Sequence, residues 1–338
     1  MFAISAADAV SPAIQRTRDF LFRPFDWGTY LKLGLVAMIT EGFGSNFQSS
    51  SRTGQSSGHG TMTYSPFNIP PVRVAAIVAA SVGAILLAML LFYLITRLRF
   101  AFFHCLTHRI REIRTGWRLY RTQAMRFFWL NLAVGFGFLV VIVLVSLPFI
   151  GGFWRLFHES SRGGHPDVGL LLELLLPLIP VVLLLVIAAI LADVVLRDWM
   201  LPHIALEDAT AGEAWSRVLA SIKAETRQFL VYAVLRVILP ALAMVALFMV
   251  LIIPGFILAG SAAAFGYGIH SAFADATGAS ALVGLLIQIF FGALGFGFML
   301  LAAICLGGPV STAVREYALL FYGGRYPVLG AALDRSAA

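Results

Sequence analysis

With 338 residues, 60% hydrophobic and only 12% charged, the chain cannot cover its apolar surface in water, since soluble domains carry about 25% charged residues. Its formal charge of +7 rests almost wholly on arginine. Those arginines fall in alternate gaps between long apolar runs, which excludes a nucleic-acid partner as their purpose and points to a lipid bilayer.

The opening Met1-Phe2-Ala3-Ile4-Ser5 lacks a charged segment followed by an apolar core, so no cleaved secretory signal is read. Ser11-Pro12, a cap followed by proline, predicts a helix start. The aromatic stretch Phe20-Leu21-Phe22-Arg23-Pro24-Phe25 leads to the first apolar run, Trp27–Phe43. That run is short and holds Lys32 and Glu41. It is counted as the first of about six spans, either tilted or re-entrant. Gly44–Pro71 is rich in Gly and Ser, cannot bury enough apolar area to order itself, and reads as a disordered external loop.

Five further runs have the length that crosses hydrocarbon: Val74–Thr96, Phe127–Ile150, Leu174–Ala192, Val237–Gly260 and Ala281–Leu306. Arg16, Arg18 and Arg23 precede the first run. Arg97, Arg99, Arg109, Arg111, Arg114, Arg118, Arg121 and Arg126 fill the gap after the second. Arg197, Arg217, Lys223 and Arg227 follow the fourth, and Arg315, Arg325 and Arg335 follow the sixth. Short loops rich in Lys and Arg stay in the cytoplasm, so both termini are expected there, in a bacterial inner membrane. Cys105 and Cys305 fall on that side, where thiols stay reduced, and no disulfide is expected. The fold class is all-α: a polytopic transmembrane helical bundle, three hairpins with interfacial amphipathic helices.

The whole chain, 1–338, reads as one membrane domain of three repeats, about 10–100, 101–197 and 198–310. Phe103-His104-Cys105-Leu106 corresponds to Pro202-His203-Ile204-Ala205, Trp117 to Trp215, and Phe127-Phe128-Trp129 to Gln228-Phe229-Leu230. Leu106, Ile110, Ile113, Trp117 and Tyr120 recur at helical spacing, with Arg111, Arg114, Arg118 and Arg121 flanking them. Such a helix either lies in the headgroup plane, gaining about 1 kcal/mol per basic residue from anionic phospholipid, or joins its fellows as a cytoplasmic collar. The corresponding later helix opens on a capping box, Thr210 with Glu213, and carries the stripe Trp215, Val218, Leu219 and Ile222.

Glu173, Asp193 and Arg236 fall within or beside spans, with Asn131 and Gln288 as polar companions. Intramembrane charge costs roughly 2.5–3.5 kcal/mol. Arg236 therefore either snorkels to the headgroups or takes an acidic partner, for which Asp193 is the expectation. His104 and His108 share a helical face, with Cys105 beside them and His203 as a conceivable third ligand. Zinc needs three or four ligands, and interfacial histidines are the competing reading. Neither metal nor cofactor is expected. Gly135-Phe136-Gly137 and Gly292-Ala293-Leu294-Gly295-Phe296-Gly297 offer smooth packing surfaces. No catalytic triad, phosphate loop or carboxylate pair can be read.

Trp199-Met200-Leu201-Pro202-His203-Ile204-Ala205-Leu206-Glu207-Asp208-Ala209, followed by Ala214-Trp215-Ser216-Arg217, resembles uncharacterised bacterial six-span membrane proteins. It is also similar to the membrane domain joined to some glycerophosphodiester phosphodiesterases. The resemblance covers the third repeat and, more faintly, the second. It implies hairpins with interfacial helices and no established activity. This chain has no soluble phosphodiesterase domain, so no catalytic residue carries over. The expected function is a non-enzymatic scaffold or accessory protein in envelope or lipid homeostasis. Its partners would be the bilayer, anionic headgroups, and either a second copy or other membrane proteins. A transporter or channel is the alternative, with Pro177, Pro180, Pro240 and Pro254 as candidate helix breaks. A lipid-modifying membrane enzyme is the third reading.

Overall fold

The computed structural model describes residues 4–42, 71–161, 168–272 and 279–335. The loop 44–71 thus lies outside the described residues, apart from Pro71. Those described are overwhelmingly helical, with no strand among them. In chain order they form α1 (Val10–Phe22), α2 (Trp27–Ala37), α3 (Pro71–His108), α4 (Ile113–Leu119), α5 (Arg121–Ser161), α6 (Val168–Val194), α7 (Leu201–Glu207), α8 (Ala211–Ala224), α9 (Thr226–Ala272), α10 (Ala279–Gly323) and α11 (Pro327–Arg335). π-Helical turns continue α2 over Met38–Gly42 and join α6 to α7 over Val195–Met200.

Five of these helices are long and apolar enough to cross a membrane, and the protein is membrane-embedded. The prolines do not interrupt them: α6 runs through Pro177 and Pro180, and α9 through Pro240 and Pro254. Trp27–Phe43 is not a sixth. The eleven residues of α2 and the five of its π-turn rise only about 24 Å, against a hydrocarbon core of about 30 Å. Protein covers them instead, for Tyr30, Leu33, Gly34, Val36, Ala37 and Thr40 are buried.

The chain divides into two compact units. The first comprises Met1–Val82, Ala101–Gly116 and Arg227–Ala338; the second comprises Gly83–Phe100 and Trp117–Thr226.

In the first unit, α10 is the spine. Its 45 residues rise about 68 Å, more than twice the hydrocarbon core. Between Leu282 and Leu301 its large apolar side chains, Ile287 apart, are exposed, as lipid-facing residues must be. Exposure falls from 43% at Leu301 to 8% at Ile304, and from there to Tyr322 most of the helix is covered by protein. The cover is α1, α2 and α11. Helix α9 divides likewise: Phe229, Tyr232 and Ala233 are buried, while the helix beyond Val237 is largely exposed. Tyr232 stacks on Tyr317 at 5.1 Å and on Phe321 at 4.4 Å, locking the covered ends of α9 and α10.

Helix α2 crosses α10 rather than running beside it. Tyr30 and Gly34, a helical turn apart, and Met38, the next turn on, all meet α10 within Ile304–Gly308. The crossing is close because two glycines face each other. A Cβ on Gly308 would come 2.6 Å from the Gly34 Cα.

The stripe from Leu106 to Tyr120 does not form one helix. Helix α3 ends at His108, and Arg109 takes a left-handed backbone with φ 53°. The chain then doubles back. A Cβ on Gly116 of α4 would lie 2.9 Å from the Ala101 Cα, so only glycine permits this approach to the end of α3. Leu106 is buried while Ile110 is exposed.

The second unit repeats the device. Asp208, ninety-nine residues after Arg109, ends α7 with φ 52°, the same offset that separates His104 from His203. Helix α8 follows, packed on the π-turn through Ala214 and Val218, with Trp215 left exposed. Phe127 of α5 meets Phe100 edge-on at 5.5 Å, and Phe128 meets Phe92 at 5.6 Å.

Candidate functional site

Chemistry in this chain is concentrated at the covered ends of the long helices, where charged side chains are buried and paired. Within the first unit, Arg236 of α9 donates to Glu41 at 2.7 Å, with side chains 12% and 7% exposed. The π-turn matters here. It carries Glu41 at the end of α2, where α2 passes α10 and its side chain reaches α9. Asp193 is therefore not the partner of Arg236. It pairs with Arg197 at 2.8 Å, one helical turn along its own chain. A local partner at (i, i+4) needs no long-range closure, which is why it prevails.

A second buried pair joins Arg16 of α1 to Glu316 of α10 at 3.0 Å. Arg16 also donates to the Leu106 carbonyl at 3.5 Å, and Arg109 and Arg315 add positive potential around Glu316. Arg111 is half-buried and engaged with backbone. Its guanidinium donates to the carbonyls of Phe20 at 2.6 Å, Arg23 at 2.7 Å and Pro24 at 2.7 Å, closing the C-terminal end of α1. Carbonyls at a helix end lack intrahelical donors, so a cation there satisfies both valence and dipole. Arg325 likewise donates to the Ile4 and Phe321 carbonyls and lies 4.0 Å over the Phe321 ring. Arg114, Arg118 and Arg121 are exposed.

In the second unit Glu207 receives Arg217 and lies 3.8 Å from His203, while Arg126 meets Asp208 at 3.2 Å. Thr210 and Glu213 form the expected capping box. The Thr210 backbone N–H and hydroxyl hold the Glu213 carboxyl below the usual range. At the start of α2, Asp26 accepts from the Thr29 N–H at 2.8 Å, and the Thr29 hydroxyl and N–H together lower its pKa. Burial pushes the Tyr30 and Tyr120 hydroxyls upward. Tyr30 donates to the Cys305 carbonyl at 2.6 Å.

The remaining candidates do not converge. Asn131 donates to the Phe127 carbonyl one turn back at 2.7 Å. Gln288 is exposed on α10. Glu173 lies in α6, but its side chain is outside the described residues. His104 and His108 stack with ring centroids 4.3 Å apart, and Cys105 donates toward the Glu112 carbonyl at 3.7 Å. Among the described residues no three His, Cys, Asp or Glu side chains gather as a metal site requires. What is assembled is a set of neutralised charges, suited to holding helices together.

Sequence reasoning named Glu41 but missed it as the partner of Arg236, and missed the Arg16–Glu316 pair. The available signal was that Glu41 and Arg236 are opposite charges, each embedded in an apolar run.

The chain belongs to a family of unknown function (DUF7544), which it matches over residues 4–332. Comparison with curated proteins and with solved structures finds no match.

Proposed function

We propose, for a chain whose family supplies no activity, a non-enzymatic membrane scaffold or accessory role in envelope or lipid homeostasis. Its place is the bacterial cytoplasmic membrane, with both termini and the covered helix ends on the cytoplasmic side. One observation carries the proposal. The buried Arg16 and Arg197 and the half-buried Arg111 and Arg236 bind carboxylates or backbone carbonyls of the same chain. Their work is structural, and the exposed Arg114, Arg118 and Arg121 are left to meet anionic phospholipid. The resemblance to membrane domains joined to glycerophosphodiester phosphodiesterases agrees with a lipid-linked role.

The test is native mass spectrometry of the purified protein with added phosphatidylglycerol, for wild type and for the Arg114→Gln/Arg118→Gln/Arg121→Gln variant. Fewer retained anionic lipids in the variant is the expected result. Equal retention rejects this surface. A thiol probe beside Arg118 that reacts with an impermeant reagent from outside the cell rejects the orientation.

A transporter is the second reading, favoured by the Glu41–Arg236 pair beside the lipid-facing stretch of α9. Solute or ion flux in proteoliposomes that Glu41→Gln abolishes would replace the first reading with this one.

A further inference from the structure

We propose that the turn from Phe22 to Tyr30 is a membrane-interface anchor, its rings seated at headgroup depth and its basic rim on anionic phospholipid. The proposal rests on the lipid-facing reading above and gives it a second, independent surface.

Four aromatic rings gather there. Phe25 lies 6.0 Å from Phe22, 5.1 Å from Trp27 and 5.6 Å from Tyr30, and Phe22 lies 5.4 Å from Tyr30. Tyr30 is buried, yet Phe22, Phe25 and Trp27 are exposed, Trp27 by 63%. This is no frayed loop. Arg111 holds the carbonyls of Phe20, Arg23 and Pro24 from beneath. Asp26 caps α2, and Tyr30 is tied to the Cys305 carbonyl. An apolar cluster fixed in position and left uncovered requires an apolar neighbour.

Its depth follows from Tyr30. Cys305 stands just past the point where α10 passes from lipid-exposed (Leu301) to protein-covered (Ile304). A ring cluster at that edge lies where Trp and Tyr collect at bilayer interfaces, the apolar body in acyl chains and the polar atom toward water. Around it Arg18, Arg23 and Lys32 are exposed. The nearby acids are engaged, Asp19 at 3.5 Å from Arg23 and Asp26 on the Thr29 N–H. With Arg111 at the same turn, the cations Arg18, Arg23, Lys32 and Arg111 outnumber the acids Asp19 and Asp26, so the rim is net positive, which matches an anionic headgroup layer.

The experiment uses the full chain in nanodiscs. The Trp27 emission is obtained as wild type minus Trp27→Phe. It is measured against lipids bearing a nitroxide at the headgroup or at the acyl-chain end, and against aqueous iodide. Headgroup nitroxide should quench the Trp27 component at least twofold more than tail-end nitroxide. Replacing neutral lipid by phosphatidylglycerol should strengthen that quenching, and Arg18→Gln/Arg23→Gln/Lys32→Gln should remove the anionic-lipid effect. Phe25→Trp in the Trp27→Phe background reports the same position should the difference signal be small. Quenching by iodide alone would overturn the proposal. So would shielding from every quencher that appears only as protein per disc rises, since that marks a second copy as the occupant. Lipid retention through Arg114, Arg118 and Arg121 is read separately, so failure here leaves that reading standing.

Discussion

Arg236 and Glu41 lie 2.7 Å apart although 195 residues separate them in the chain. Each alone would be an isolated charge in an apolar run, costing roughly 2.5–3.5 kcal/mol. Together they fasten the end of α2 to α9.

Breaking one side of this pair takes its nearest counter-charge from the other. Glu41→Gln or Arg236→Gln is expected to destabilise by about 3 kcal/mol, because the largely buried charge that remains loses its counter-ion at 2.7 Å. The double substitution should cost clearly less than the sum of the two. Unfolding in detergent micelles, followed by tryptophan emission, supplies the cycle. Additive losses would mean that the two groups act independently.

The crossing of α2 over α10 gives a graded series. At Gly34 an added methyl meets Ile304 at 3.3 Å, and at Gly308 it meets the Gly34 backbone at 2.6 Å. Overpacking of this kind costs about 1–3 kcal/mol. Gly308→Ala should therefore lie at or beyond the upper end and Gly34→Ala near the lower. Gly292→Ala and Gly295→Ala, which meet nothing within 4 Å, should be neutral. Melting temperatures of the four variants rank them directly.

Arg111→Gln removes the donor to three carbonyls at the end of α1. Hydrogen bonds to a charged group contribute about 1.5–3 kcal/mol, and a loss of about 2 kcal/mol is expected. Arg111→Lys should recover little, since an ammonium cannot present the planar fork. Limited proteolysis between Arg23 and Trp27 is the readout: faster cleavage in both variants, with no change at the α8 end.

The Glu213 cap predicts a pH dependence confined to α8. Because its folded pKa lies below the ordinary value of 4.5, the stabilisation it adds is complete above that value. It fades as pH falls through the lower, folded one. Protection of the α8 amides, corrected for intrinsic exchange, should drop in that acidic window in wild type. Glu213→Gln should flatten the profile.

The spanning helices were legible because hydrocarbon imposes a length and an apolarity that nothing else in the chain shares. The Thr210–Glu213 cap was legible because it is complete within four residues. Trp27–Phe43 misled because burial by protein and burial by lipid select the same side chains. Only its Lys32, Glu41 and short length hinted at the former. The stripe from Leu106 to Tyr120 misled at Arg109, a left-handed residue that is not glycine, although Gly116 marked the fold-back. The Arg16–Glu316 and Tyr30–Cys305 contacts join residues hundreds of positions apart and leave no local periodicity to detect.

The anchorage of α1 has a consequence for biosynthesis. Ala6 donates to Gln228, the Ile4 carbonyl accepts from Arg325, and Arg16 pairs with Glu316. Helix α1 meets the Leu106 carbonyl and Arg111 once the chain past α3 has been made, but its contacts with α9 and α10 arise only when those helices have been translated. Until then α1 is only partly docked, a vulnerable interval in which proteases and chaperones compete for it. A transcript truncated before α10 would yield a nascent chain in which Arg16 lacks Glu316 and α1 lacks its main cover.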